Sequence, residues 1–128
     1  MGIMTGEVTD RSALVQVRLT IEDRLIDNDV HGMPGLVEFT LTTADGKTKH
    51  PPQIVHATAE RDFIARASWA DLQANTEYRC KTRTGTSPKT LREGPSGTFK
   101  THPGPTSSDP VEFVVVTGMN YAKFHGDN

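Results

Sequence analysis

The stretch Trp69-Ala-Asp-Leu-Gln-Ala-Asn-Thr-Glu-Tyr-Arg-Cys-Lys-Thr-Arg-Thr-Gly85 (WADLQANTEYRCKTRTG) decides how the rest of the chain is read. Tyr78, Cys80 and Thr82 alternate with Glu77, Arg79, Lys81 and Arg83. A period of two with one polar face is the signature of a half-buried β-strand. Just before it, Asp71 to Asn75 has turn composition, and Phe63, Ala65, Ala67 and Trp69 alternate with Ile64, Arg66 and Ser68. The stretch is therefore strand, corner, strand. Trp69 is the largest side chain available to the core, and Cys80, in phase with Tyr78, reads as a small buried residue.

The same period extends outward. Ala13, Val15, Val17, Leu19 and Ile21 occupy one face of an upstream strand, and Val37, Phe39 and Leu41 one face of another that Asp45-Gly46 closes with a tight turn. Pro51-Pro52 precedes a weaker strand at Ile54 to Ala59. Glu22 to Gly35 collects Asp, Asn, Gly and Pro and reads as a long loop, as does Gly85 to Pro95 before a short strand over Gly97 to Thr101. Six or seven short strands with no helical period predict an all-β, antiparallel sandwich of the fibronectin III/immunoglobulin-like class.

The end of the chain differs. His102 to Pro110 (HPGPTSSDP) has linker composition. Phe113, Val114, Val115 and Val116 then follow without alternation, as in a strand covered on both faces. This predicts a sandwich at residues 1–101, a linker at 102–110, and at 111–128 one leftover strand from an α/β domain that continues elsewhere. Such a strand, lacking its own sheet, is expected to pair with another chain through residues 111–118, giving a dimer or strand exchange, or to fold back on the sandwich.

Composition excludes several classes of function. The 128 residues carry 14 basic and 16 acidic side chains, so no net field points to nucleic acid. No apolar run is long enough to span a bilayer. Cys80 is alone, and the five histidines show no metal-ligand spacing. Asp23, Asp27, Asn28 and Asp29 lack the ordered spacing of a calcium loop and read as solvated. No nucleophile-base set or phosphate loop is present, so no catalytic residue and no cofactor are assigned to this chain. Arg79, Lys81 and Arg83 form a basic stripe, continued by Lys89 and Arg92. It reads either as a solvent face or as a surface for docking a neighbouring domain and attracting anionic substrates.

Leu72, Thr76 and Tyr78 carry a resemblance to a known family: their Leu-x-x-x-Thr-x-Tyr spacing is similar to the tyrosine corner of fibronectin type III-like modules. More narrowly, the order of parts resembles the start of PhoD-like alkaline phosphatases. TGEVTDRSALVQVRL (Thr5 to Leu19) echoes the family's opening strand pattern, SGTFKTHP (Ser96 to Pro103) its exit strand, and FVVVTGMNY (Phe113 to Tyr121) the strand entering its metallophosphatase domain. The resemblance implies that this chain is a non-catalytic accessory domain whose partner is its own C-terminal catalytic domain. That domain would be a phosphoric ester hydrolase with an iron/calcium or related divalent metal pair, and the whole protein would be exported to the periplasm or beyond the cell. Gly118 stands where the family has a Cys metal ligand, which leaves Asn120 as the one candidate near the parent metal site. Asp127, in a GDN triplet only a few residues later, is too close to the first strand to follow a crossover. The alternative is a stand-alone sandwich for binding or adhesion, with carbohydrate as one candidate ligand class, in another exported protein.

Overall fold

A computed structural model describes residues 1–112; the expected strand at Phe113 to Val116, with Gly118, Asn120 and Asp127, lies outside the described residues, as does most of the proposed pairing segment at 111–118. Among the described residues, seven strands form two antiparallel sheets. They are β1 (Ile3–Gly6), β2 (Ala13–Arg18), β3 (Gly35–Thr43), β4 (Gln53–Ala57), β5 (Ile64–Trp69), β6 (Glu77–Gly85) and β7 (Arg92–Lys100). One sheet has the order β1-β2-β5 and the other β4-β3-β6-β7. The architecture is the all-β sandwich that the alternation predicts.

The alternating residues meet between the sheets. Val15, Val17, Ala65, Ala67 and Trp69 from one face Val37, Phe39, Leu41, Tyr78, Cys80 and Phe99 from the other, all buried. Phe39 and Trp69 interlock edge to face across the core, with ring centroids 6.4 Å apart at 75°. Burial pushes the Cys80 thiol up to about 11, which keeps it protonated and inert at neutral pH.

Registers place the connections at two opposite ends. Ala13 pairs with Trp69 and Thr43 with Tyr78, so residues 7–12, 44–52, 70–76 and the segment after β7 share one end. Arg18 pairs with Ile64 and Leu36 with Gly85, which puts residues 19–34, 58–63 and 86–91 at the other. Nine residues of β6 separate the two ends by about 30 Å at 3.3–3.4 Å per residue.

The structure adds one strand that the alternation did not mark and corrects three readings of local pattern. β1 is a strand with no strong alternation of its own; its Ile3 lies against Gly97, where an added Cβ would approach Ile3 to 3.3 Å. β7 begins at Arg92 instead of Gly97 and includes Pro95. Proline is tolerated there because β7 is an edge strand with a register shift opposite Lys81/Arg83. β2 ends at Arg18, and Ile21 is 56% exposed although it keeps the phase of Val15 and Val17. Phe63 is not in the β5 ladder: it sits in the left-handed region at φ 57, after Asp62 at φ 50.

Residues 22–34, expected to be an irregular loop, form a small ribbon. Ile21 N–H donates to the His31 carbonyl at 3.0 Å, and Ile26 and Asp29 exchange two backbone hydrogen bonds of 2.8 and 3.0 Å. Asp27 and Asn28 between them are left-handed, at φ 51 and 60, as a two-residue hairpin turn requires.

Candidate functional site

The end from which the chain leaves the sandwich carries the densest polar network. Tyr78 is fully buried, and its hydroxyl oxygen accepts the Gln73 N–H at 2.9 Å. Its ring stacks on Phe99, with centroids 5.5 Å apart at 18°, and His50 tilts against it at 5.9 Å. Leu72 is buried beneath the turn, and its N–H donates to the Arg11 carbonyl at 2.8 Å. The left-handed φ values of Asp71 (59) and Asn75 (50) bend the chain around these anchors. Asn and Asp tolerate that region because their short polar side chains bond locally.

Thr101 closes the corner onto the departing chain. It is 1% exposed; its hydroxyl donates to the Gln73 carbonyl at 2.6 Å and accepts the Thr76 N–H at 2.9 Å. The next residue is bonded on both sides, His102 N–H to the Thr9 carbonyl at 3.0 Å and Asn75 N–H to the His102 carbonyl at 2.9 Å. Further on, the Asn75 amide reaches the Asp109 carboxylate at 3.3 Å. The segment read as a linker thus begins firmly held, and residues 102–112 contain neither strand nor helix. Thr76, at the motif position between Leu72 and Tyr78, spends its own hydroxyl on the Ala74 carbonyl at 2.8 Å.

Two shallow clefts flank this corner and share Asn75. One, about 520 Å³, lies between Asp45, Lys47 and Thr48 on one side and Gln73, Asn75 and Glu77 on the other. The second, about 400 Å³, is walled by Lys100, His102, Pro103, Pro110 and Glu112. In the first, a bond from the Thr43 hydroxyl at 2.6 Å, followed by the Lys47 N–H at 3.1 Å, holds the Asp45 carboxyl down at about 2. Asp45 is therefore a fixed negative charge at neutral pH.

The basic stripe starts beside this corner and runs along the outer face of β6. Arg83 is occupied, with Glu38 at 3.2 Å and the Leu91 carbonyl at 3.3 Å. Arg79 and Lys81 are exposed and make no ion pair among the described residues. Their cross-strand neighbours are Thr42 and Thr98 for Arg79, and Thr40 and Ser96 for Lys81. Two free cations on a flat hydroxyl-rich face are suited to meeting a negatively charged surface.

Sequence reasoning placed Gln73 and Asn75 in the corner at Asp71 to Asn75 without assigning them a role, and missed Thr101 as the residue that closes it. Thr101 carried a readable signal, since it continues the inward phase of Gly97 and Phe99, whereas Gln73 acts only through its backbone. Among the described residues, no three His, Cys, Asp or Glu side chains converge as metal ligands, and no helix is long and apolar enough to cross a membrane.

Comparison with known proteins is informative at the level of structure. A solved structure of PhoD matches with a TM-score of 0.66 at 19% identity, over 85% of this chain and 20% of that one. The chain thus spans about a fifth of the length of that PhoD chain. The fibronectin III domain of human collagen alpha-1(XX) matches with a TM-score of 0.53 at 16% identity, over 88% of this chain and 89% of that domain. The sensor domain of the anti-sigma factor RsgI4 of Pseudobacteroides cellulosolvens gives 0.51 at 16%, over 93% and 94%. No family profile matches the sequence, and no curated protein matches it. At these identities the likeness establishes the fold, a fibronectin III-like sandwich.

Proposed function

We propose that this chain is the N-terminal accessory domain of a PhoD-like phosphoric ester hydrolase, non-catalytic in itself, and that it seats a following catalytic domain and shapes access to it. The observation that carries the reading is the likeness to PhoD, which has a higher TM-score than the single-module neighbours above and covers 85% of this chain against a fifth of that one. The ordered sequence motifs support it independently. So does the exit corner, where Thr101 and His102 fix the direction in which the chain departs.

On this reading the clefts around Asn75 and the near end of the basic stripe, Arg79 then Lys81, face the following domain, with Arg83 further along. The apolar run from Phe113 supplies that domain's first strand, and burying each of its four side chains contributes about 1.5–3 kcal/mol, an upper bound because denatured chains already bury some surface. The metal pair and the chemistry belong to the following domain, and the whole protein is exported. The test is kinetic: in the protein carrying both domains, Arg79→Glu with Arg83→Glu raises KM for an anionic phosphoester. Unchanged kinetics would remove the stripe from the proposal.

A further inference from the structure

The ribbon at residues 20–33, at the far end from the chain exit, is built more rigidly than a connecting loop needs. Arg18 clamps it: one guanidinium nitrogen donates to the Val30 carbonyl at 2.8 Å, while the other two hold the Asp62 carboxylate at 2.9 and 3.1 Å. Below it, Leu19 N–H donates to the Phe63 carbonyl at 3.0 Å, and Met33 N–H to the Leu19 carbonyl at 3.1 Å. The Phe63 ring lies so close over Gly32 that a Cβ there would come within 1.9 Å of it. Four residues without glycine's freedom, Asp27, Asn28, Asp62 and Phe63, are left-handed around this one assembly. Phe63 is a bulky residue in that region, and strain of this kind costs about 1–3 kcal/mol per residue and gathers at ligand clamps and switch regions.

What this rigidity displays is apolar. Ile21, Leu25 and Val30 are 56%, 37% and 36% exposed. Between and beside them in the ribbon's sequence lie Glu22, Asp23, Asp27 and Asp29, with Arg24 engaged by Glu22 and His31 3.9 Å from Asp29. A hydrogen-bonded ribbon that exposes apolar side chains interspersed with carboxylates loses less loop entropy on contact than a free loop, as a preorganised protein-binding surface does.

We infer that this ribbon is a docking surface for a protein segment that is both cationic and apolar. Charge complementarity selects that occupant: Asp23 and Asp27, which make no ion pair among the described residues, with Asp29 beside them, repel an anionic lipid surface. A second copy of the chain would bring the same carboxylates and a net charge of -2, which does not complement them. The site is about 30 Å from the chain exit, by the strand spacing, and is independent of the proposed catalytic partner.

The test is an NMR titration of the isotope-labelled full chain with an eight-residue alternating Lys–Leu peptide and with a Glu–Leu peptide of equal length. The Lys–Leu peptide is expected to shift amide signals of residues 20–33 and 61–64 and to leave β6 unmoved. Its binding is expected to weaken with added salt, and by about tenfold in Ile21→Ser/Leu25→Ser and in Asp23→Asn/Asp27→Asn. Asn is chosen at position 27 because it accepts the left-handed backbone, and unchanged amide exchange at positions 21 and 29 in both variants shows that the ribbon's fold is intact. Equal shifts with the Glu–Leu peptide, shifts spread over the sandwich, or no shifts at all overturn the inference. So does self-association abolished by Leu25→Ser, or adsorption of the ribbon to vesicles of anionic phosphatidylglycerol.

Discussion

The two ends of the sandwich use their polar groups in opposite ways. At the exit end, buried side chains turn inward: the Tyr78 and Thr101 hydroxyls bond to backbone within the corner, Leu72 packs beneath it, and together they fix the chain that leaves it. At the ribbon end, an exposed ion pair between Arg18 and Asp62 fixes a strained surface while Ile21, Leu25 and Val30 remain in water. One end is stabilised by burial and holds the segment that leaves it. The other is held in shape without burying what it displays. Order in a loop therefore has two distinct origins here, and only the first should register strongly in global stability.

Substitutions at the two ends should separate these origins. The largest effect is expected at the exit end: Tyr78→Ala removes an aromatic ring stacked between Phe99 and His50, at about 3–5 kcal/mol, read as a lower urea midpoint. A midpoint shifted by less than a third of that would mean the corner is not a keystone of the core. Thr101→Val keeps the shape but leaves the Gln73 carbonyl and Thr76 N–H unpaired, at about 1–3 kcal/mol. That variant should also speed amide exchange at Asn75, His102 and Thr101. At the ribbon end, Arg18→Ala should change global stability by less than about 1 kcal/mol, as exposed pairs do. Its effect should be local, with faster exchange at Ile21 and Asp29 and none at Gln73. If Arg18→Ala instead unfolds the sandwich, the distinction between the ends fails.

Most of the sandwich could be read from alternation, because side chains in a strand bury every second position and a single core selects one phase. The corner was legible for the same reason: Tyr78 stays in phase with Cys80, and Leu72 sits six residues before it. The misses have physical causes. β1 has only four residues, with no run long enough to show a period. Pro95 concealed the start of β7 because proline bars only the paired interior of a sheet, and β7 lies at an edge. The ribbon was hidden since its order comes from Arg18 and Asp62, 44 residues apart in sequence, and from a glycine beneath Phe63. Such contacts leave no local pattern. Ile21 showed the limit of periodicity most clearly, as it keeps the alternating phase but lies beyond the end of β2.

The central claim is that the exit end, and not the ribbon end, receives the domain that follows. Hydroxyl-radical footprinting compares the 128-residue chain with the proposed longer protein, in which a phosphoesterase domain would follow it. The account predicts protection of His102, Lys100 and Arg79 in the longer protein, with Ile21 and Leu25 oxidised equally in both. Protection of Ile21 and Leu25 with His102 and Lys100 left open would contradict it.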